Sequence, residues 1–189
     1  NLSELGYDLS FLRTIPGTIG GAIAMNAGCY GNYMGDYVQS IEGFDRSGKF
    51  IRVSRENIQF KYRASGLPKN FIITSAILKP KIEKKSVIQQ KMKEMLSKRE
   101  ETQPTKKATC GSTFKNPDGK ASLILENSTE LKAWNLIDRA GLRGKKIGRA
   151  MVSKKHPNFL INLGDATAEE MESLGEYVRK SVYKKFKVS

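Results

Sequence analysis

Arg13 to Gly31, RTIPGTIGGAIAMNAGCYG, sets small residues among apolar ones more densely than any other part of the chain. Glycine reaches positive φ and lets a neighbouring group approach the backbone closely. Pro16-Gly17, Gly20-Gly21 and Gly28 therefore predict a turn that enters a short, tightly packed helix. Such a run can aim peptide N–H groups at a phosphate or a polar ring system, because helix N-termini and nested amides attract negative charge. Glycine content alone describes equally well a plain turn followed by a buried small-residue helix. The spacing is neither G-x-G-x-x-G after a strand nor G-x-x-x-x-G-K-[ST], so neither of the two well-defined nucleotide fingerprints is met.

The chain has 189 residues, 39% of them hydrophobic, which suits one domain or two small ones with a proper core. No apolar run approaches the ~20 residues needed to cross a bilayer, and the first residues form neither a basic n-region nor an apolar h-region. The expectation is a cytoplasmic protein without membrane insertion. Cys29 and Cys110 lack metal-ligand spacing, and one histidine cannot complete a zinc site with them, so free thiols and no metal are expected. The net charge of +14 raises nucleic acid as a partner. Yet the lysines come as scattered doublets such as Lys84-Lys85, Lys106-Lys107 and Lys154-Lys155, with no interleaved aromatics to stack on bases. Solvated faces explain the charge, and a basic nucleic-acid-binding module stands as the alternative from a different class.

From the glycine-rich stretch outward, Val38–Asp45 and Lys49–Ser54 read as a hairpin joined by Arg46-Ser47-Gly48. Phe71–Lys79, short and β-branched, reads as a buried strand. Pro80 marks a composition shift and is the expected domain boundary. From Ser86 to Arg99, Ile88, Met92, Met95 and Leu96 fall on one helical face. Lys106–Pro117 is a loop and strand, and 120–131 a surface insertion. Lys132–Ala140 is a helix with Gly141 as its C-cap. Ala150–Val152 and Phe159–Leu163 are strands, and Thr167-x-x-Glu170 is a capping box opening a long last helix with a stripe of Met171, Leu174, Val178, Val182 and Phe186.

Three strings occur in one order: Ile15-Pro16-Gly17-Thr18-Ile19-Gly20-Gly21-Ala22 with Met25-Asn26-Ala27-Gly28-Cys29-Tyr30-Gly31, then Tyr62-Arg63-x-Ser65, then Gly111-Ser112-Thr113-Phe114-Lys115-Asn116-Pro117. Together they resemble the UDP-N-acetylenolpyruvoylglucosamine reductase family, also called UDP-N-acetylmuramate dehydrogenase, over nearly the whole chain apart from 120–131. The resemblance implies an α+β protein: residues 1–80 as the C-terminal part of an FAD-binding domain, and 81–189 as a mixed α/β substrate-binding domain. It implies NADPH-driven, FAD-dependent reduction of the enolpyruvyl group of UDP-N-acetylglucosamine enolpyruvate for peptidoglycan precursors, by a monomer.

By the same resemblance Ile15, Gly17, Thr18, Gly20, Gly21, Asn26 and Gly28 contact the flavin. Tyr30, Lys115 and Asn116 contact the substrate, Arg63 takes its carboxylate, and Ser112 donates the proton. His156, in Val152-Ser153-x-x-His156-x-Asn158-Phe159, is read as structural. Three departures limit the match. Asn1–Leu12 starts without methionine and reads as the middle of an element, so the family's earlier loop for the FAD pyrophosphate is expected to precede it. The family's assisting glutamate is expected beyond Ser189, and Lys154 stands where many relatives carry an acid. The resemblance also points to the branch without an extra tyrosine loop. The polypeptide by itself is expected to turn over little or not at all, or to be a non-catalytic remnant.

Overall fold

Two units, Asn1–Ser97 and Lys98–Ser189, make up the computed structural model, which describes residues 2–117 and 131–188. In the first unit β1 (Tyr7–Asp8) precedes α1 (Ile19–Ala24), a six-residue helix rich in glycine and alanine. The hairpin β2 (Gly28–Cys29) and β3 (Asn32–Tyr33) follows. The larger sheet is β4 (Val38–Phe44), β5 (Phe50–Ser54) and β6 (Ile72–Leu78), antiparallel in the order β5-β4-β6. β7 (Lys81–Ile82) returns to pair with β1, Tyr7 opposite Ile82. Phe11, Ile23, Met34 and Ile41 form a core under this sheet, each at most 1% exposed. A Cβ at Gly43 would lie 2.0 Å from the Ile72 carbonyl oxygen, so only glycine lets β6 close on β4 at this register shift.

The β-branched run at 71–79 does form a strand, but not a buried one: Ile72 and Ile77 are each 55% exposed. β6 lies at an edge of the sheet, and only its inward residues, Ile73, Ala76 and Leu78, meet the core. The first unit runs on to Ser97 because α2 (Lys85–Thr102) is bound into it over its first turns. Ile88 is 1% exposed, Lys91 pairs with Asp8 at 2.7 Å, and the Met95 carbonyl accepts from the Tyr30 hydroxyl at 3.1 Å.

The second unit packs α4 (Ala168–Phe186) and α3 (Ala133–Arg139) over a small antiparallel sheet. That sheet is β8 (Lys146–Ile147), β9 (Ala150–Val152) and β10 (Leu160–Asn162), in the order β10-β9-β8. The capping box forms as expected: Thr167 Oγ1 accepts from Glu170 N and Glu170 Oε2 from Thr167 N, both at 3.1 Å. Leu174, Val178 and Val182 are buried against Val152 and Leu160, with Met171 and Phe186 at the margin of the same cluster. Burying such side chains stabilises by about 1.5–3 kcal/mol each. Lys106–Pro117 forms no continuous strand; it touches the sheet through two isolated bridges, Ala108 with Asn162 and Ser112 with Phe159. The insertion expected at 120–131 lies, except for Leu131, outside the described residues. No helix among the described residues is long and apolar enough to cross a membrane.

Candidate functional site

Thr18 turns its hydroxyl inward and accepts from Gly21 N at 3.1 Å, capping α1. Gly17, at φ +125°, has open space where a Cβ would stand, nothing lying within 4 Å. Pro16 to Ile19 and Gly21 are exposed, the backbone is uncovered at Gly17, and Ile15 packs against the core. A flat ligand can lie on such a peptide surface without meeting side chains.

The rest of the glycine-rich stretch is engaged elsewhere. A Cβ at Gly28 would lie 2.3 Å from the Tyr33 ring, so this glycine serves the β2–β3 hairpin. Tyr30 and Gly31 make its two-residue turn at φ +50° and +82°, the double positive φ that matches strand twist. Asn26, 7% exposed and at φ +40°, spends its side chain on two backbones: Nδ2 donates to Lys61 O at 3.0 Å, and Oδ1 accepts from Gly35 N at 2.9 Å. Both ends of the amide are taken by the protein.

The Lys61 carbonyl held by Asn26 opens the Lys61–Ala64 turn that carries Arg63. Arg63 adopts φ +54°, a region that costs a non-glycine residue about 1–3 kcal/mol. Its guanidinium lies over the Tyr62 ring at 5.0 Å, and its buried Nη1 has no hydrogen-bond partner among the described residues. Burial pushes the nearby Tyr33 phenol above its ordinary value, with the Arg63 charge pulling the other way. An unpaired guanidinium nitrogen on a strained, pinned turn is a cation held ready for a planar anion.

In the second unit Ser112, Lys115 and Asn116 lie on one short segment. Five residues from Ala108 to Ser112 face four from Phe159 to Asn162, an extra-residue bulge that includes Gly111 at φ +93°. Ser112 emerges from it exposed, and Lys115 is exposed beside it in sequence. Asn116 Oδ1 accepts from Ala133 N at 3.1 Å, holding the first turn of α3. Asn158, not among the expected site residues, is 4% exposed and grips the segment with both ends of its amide. The only trace of this in the sequence is an asparagine just before an apolar strand. Among the described residues no group of three metal-ligating side chains occurs.

His156 holds its ring edge-on to Phe159 at 4.8 Å, and its buried Nδ1 has no hydrogen-bond partner among the described residues. Burial pushes the imidazole below its ordinary value; a backbone hydrogen bond opposes this in part and the Arg143 charge adds to it. The folded state thus binds fewer protons than the unfolded one. Stability is complete above the free imidazole value of about 6.5 and falls as pH drops below it. Thermal melts between pH 7.5 and 5.5 should show a falling Tm that His156→Phe flattens. An equal decline in the variant would exclude His156 as its source.

The residues fall into two sets: Ile15 to Tyr30 with Arg63 in the first unit, and Ser112, Lys115 and Asn116 in the second. Residues 103–189 match the model of the C-terminal domain of UDP-N-acetylenolpyruvoylglucosamine reductase. The chain is similar to the UDP-N-acetylenolpyruvoylglucosamine reductase of Dinoroseobacter shibae, 52% identical over 94% of this chain and 58% of the relative. That of Paracoccus denitrificans is 48% identical over 95% of this chain and 59% of the relative. A crystal structure of the Thermus caldophilus reductase superposes with a TM-score of 0.81 at 34% identity, covering 99% of this chain and 64% of that one. The chain thus spans a little under two thirds of the proteins it matches.

Proposed function

Because this chain belongs to the UDP-N-acetylenolpyruvoylglucosamine reductase family, we propose that it supplies part of a flavin reductase acting on UDP-N-acetylglucosamine enolpyruvate, with NADPH as the electron source. The observation that carries this reading is Arg63: a buried guanidinium nitrogen with no hydrogen-bond partner among the described residues, on a strained turn pinned by Asn26. The uncovered backbone at Gly17 fits a flavin ring, since nothing stands where its Cβ would be and the Thr18 hydroxyl is turned toward Gly21 N. Ile15, Gly17, Thr18, Gly20 and Gly21 would hold it. Asn26 and Gly28 would support it only through the backbone they fix, because the amide of one and the Cα face of the other are already occupied.

When bound, the reduced flavin supplies hydride to the terminal alkene carbon. Negative charge then grows on the neighbouring carbon and its carboxylate. Arg63 holds that carboxylate, its planar fork meeting two oxygens and stabilising the charge as it develops. Ser112 gives its hydroxyl proton to the carbon, completing addition of hydride and proton across the double bond. A serine is a weak acid, so the alkoxide needs help. Lys115, three residues on and also exposed, supplies positive charge, and exposure of Ser112 lets solvent return the proton. Tyr30, through its ring, and Lys115 are the proposed contacts to the nucleotide-sugar; Asn116 contributes while holding α3.

The test is a flavin absorbance spectrum of the complete gene product under anaerobic conditions. NADPH should bleach the flavin band and the enolpyruvyl substrate should restore it. A protein that binds no added FAD, or a bleached flavin that the substrate leaves bleached, would overturn the reading.

A further inference from the structure

We infer that Asn158 is a positioning residue for proton delivery by Ser112, an inference that rests on the role proposed for Ser112 above. The Asn158 side chain treats Phe114 as a paired strand residue: Oδ1 accepts from Phe114 N and Nδ2 donates to Phe114 O, both at 2.9 Å. Its own carbonyl takes Thr113 N at 2.8 Å, and the next residue, Phe159, bridges Ser112. Three successive residues, Ser112 to Phe114, are thereby strapped to Asn158 and Phe159, directly after Gly111, which stands at φ +93° and donates its N–H to Thr109 Oγ1 at 3.3 Å. Beyond the strap, the segment is held by the Ala108 bridge upstream, by the Phe114 side chain packed against the core, and downstream by Asn116 Oδ1, which accepts from Ala133 N at the start of α3.

The strap is itself anchored. The Ser153 hydroxyl accepts from Lys155 N and His156 N, both at 3.1 Å, folding the turn that delivers Pro157 and Asn158 into the interior. Asn158 uses two of its side-chain bonds on one residue's backbone, a geometry that neither aspartate nor leucine can reproduce. A proton donor must be held within about 0.5 Å of its productive place. The amide thus sets the aim of a hydroxyl that it does not touch.

Asn158→Asp keeps the acceptor for Phe114 N and sets a carboxylate oxygen against Phe114 O. In the FAD-loaded complete protein this variant should slow reoxidation by the enolpyruvyl substrate about 100-fold, with substrate Kd within threefold and flavin reduction by NADPH unchanged. On a Ser112→Ala background the same substitution should change reoxidation by less than twofold, which general structural damage would not produce. Lowering the pH should restore part of the rate as the aspartic acid regains a proton to donate. In the flavin-free protein, amide exchange at Thr113 and Phe114 should rise at least tenfold.

Should Asn158→Asp fail to fold, Asn158→Gln, which carries both polar atoms one methylene further out, should show the same pattern at about 10-fold. Wild-type reoxidation in a folded Asn158 variant, beside a slow Ser112→Ala, would overturn the inference and leave the Ser112 role standing. An equal loss on the Ser112→Ala background would overturn it too. Wild-type reoxidation in Ser112→Ala would overturn both.

Discussion

Ser112→Ala is expected to slow reoxidation of the reduced flavin by the enolpyruvyl substrate by about 10²–10⁴-fold, the range that a positioned general acid contributes. Reduction by NADPH should stay within twofold of the wild type, because that half of the cycle needs no proton on carbon. The side chain is exposed at the end of a bulge, so stability should change by no more than about 0.5 kcal/mol. Separating the half-reactions by stopped-flow absorbance is what gives the experiment its force. A flavin that bleaches normally and then waits, with substrate bound, identifies the missing proton. Equal loss in both half-reactions would instead mark Ser112 as a structural residue of its turn.

Arg63→Gly is expected to separate function from stability in opposite directions. Removing the guanidinium should weaken substrate binding by about 10- to 150-fold, the equivalent of roughly 1.5–3 kcal/mol for a hydrogen bond to a charged group. The same change relieves φ +54° and removes a buried donor that has no partner among the described residues. Against those gains stand the lost contact with the Tyr62 ring and the greater freedom of glycine in the unfolded chain. The balance favours the variant by about 1 kcal/mol, since αL strain alone costs about 1–3 kcal/mol. Arg63→Lys should recover only part of the affinity, because an ammonium cannot meet two carboxylate oxygens in one plane. Calorimetric titration beside thermal melts checks both. A lower Tm with unchanged affinity in Arg63→Gly would make Arg63 a structural residue and remove the observation on which the functional reading rests.

Where a residue's partners lie within about four positions, the sequence was sufficient. Thr167 and Glu170 predict each other's bonds, and the 3.6-residue spacing of Leu174, Val178 and Val182 predicts the face that α4 buries. Arg46-Ser47-Gly48 predicts the hairpin of β4 and β5, where Asp45 gathers the turn. The three strings that mark the family were equally legible, since each is contiguous. They marked Arg63 and Ser112 as candidates without coordinates.

Tertiary structure decided what those residues stand on. Asn26 bonds a carbonyl 35 residues away, Asn158 a backbone 44 away, and Tyr30 a helix 65 away. A two-residue strand such as β1 or β7 carries no periodicity from which its pairing could be read. The β-branched run of β6 announces a strand, but whether both its faces are covered depends on what the rest of the chain brings over it. The same limit holds at Pro80, which ends a composition, while Asp8 and Tyr30 reach across to α2 and tie its first turns into the first compact unit. The sequence alone determined which chemical groups are present and which local elements carry them. Only the folded chain decided which of those groups are spent on holding backbone, as in Asn26 and Asn158, and which keeps a buried nitrogen without a hydrogen-bond partner among the described residues, as in Arg63. A side-chain amide or guanidinium offers the same donors wherever it stands, and what it bonds is set by chain that is distant in sequence.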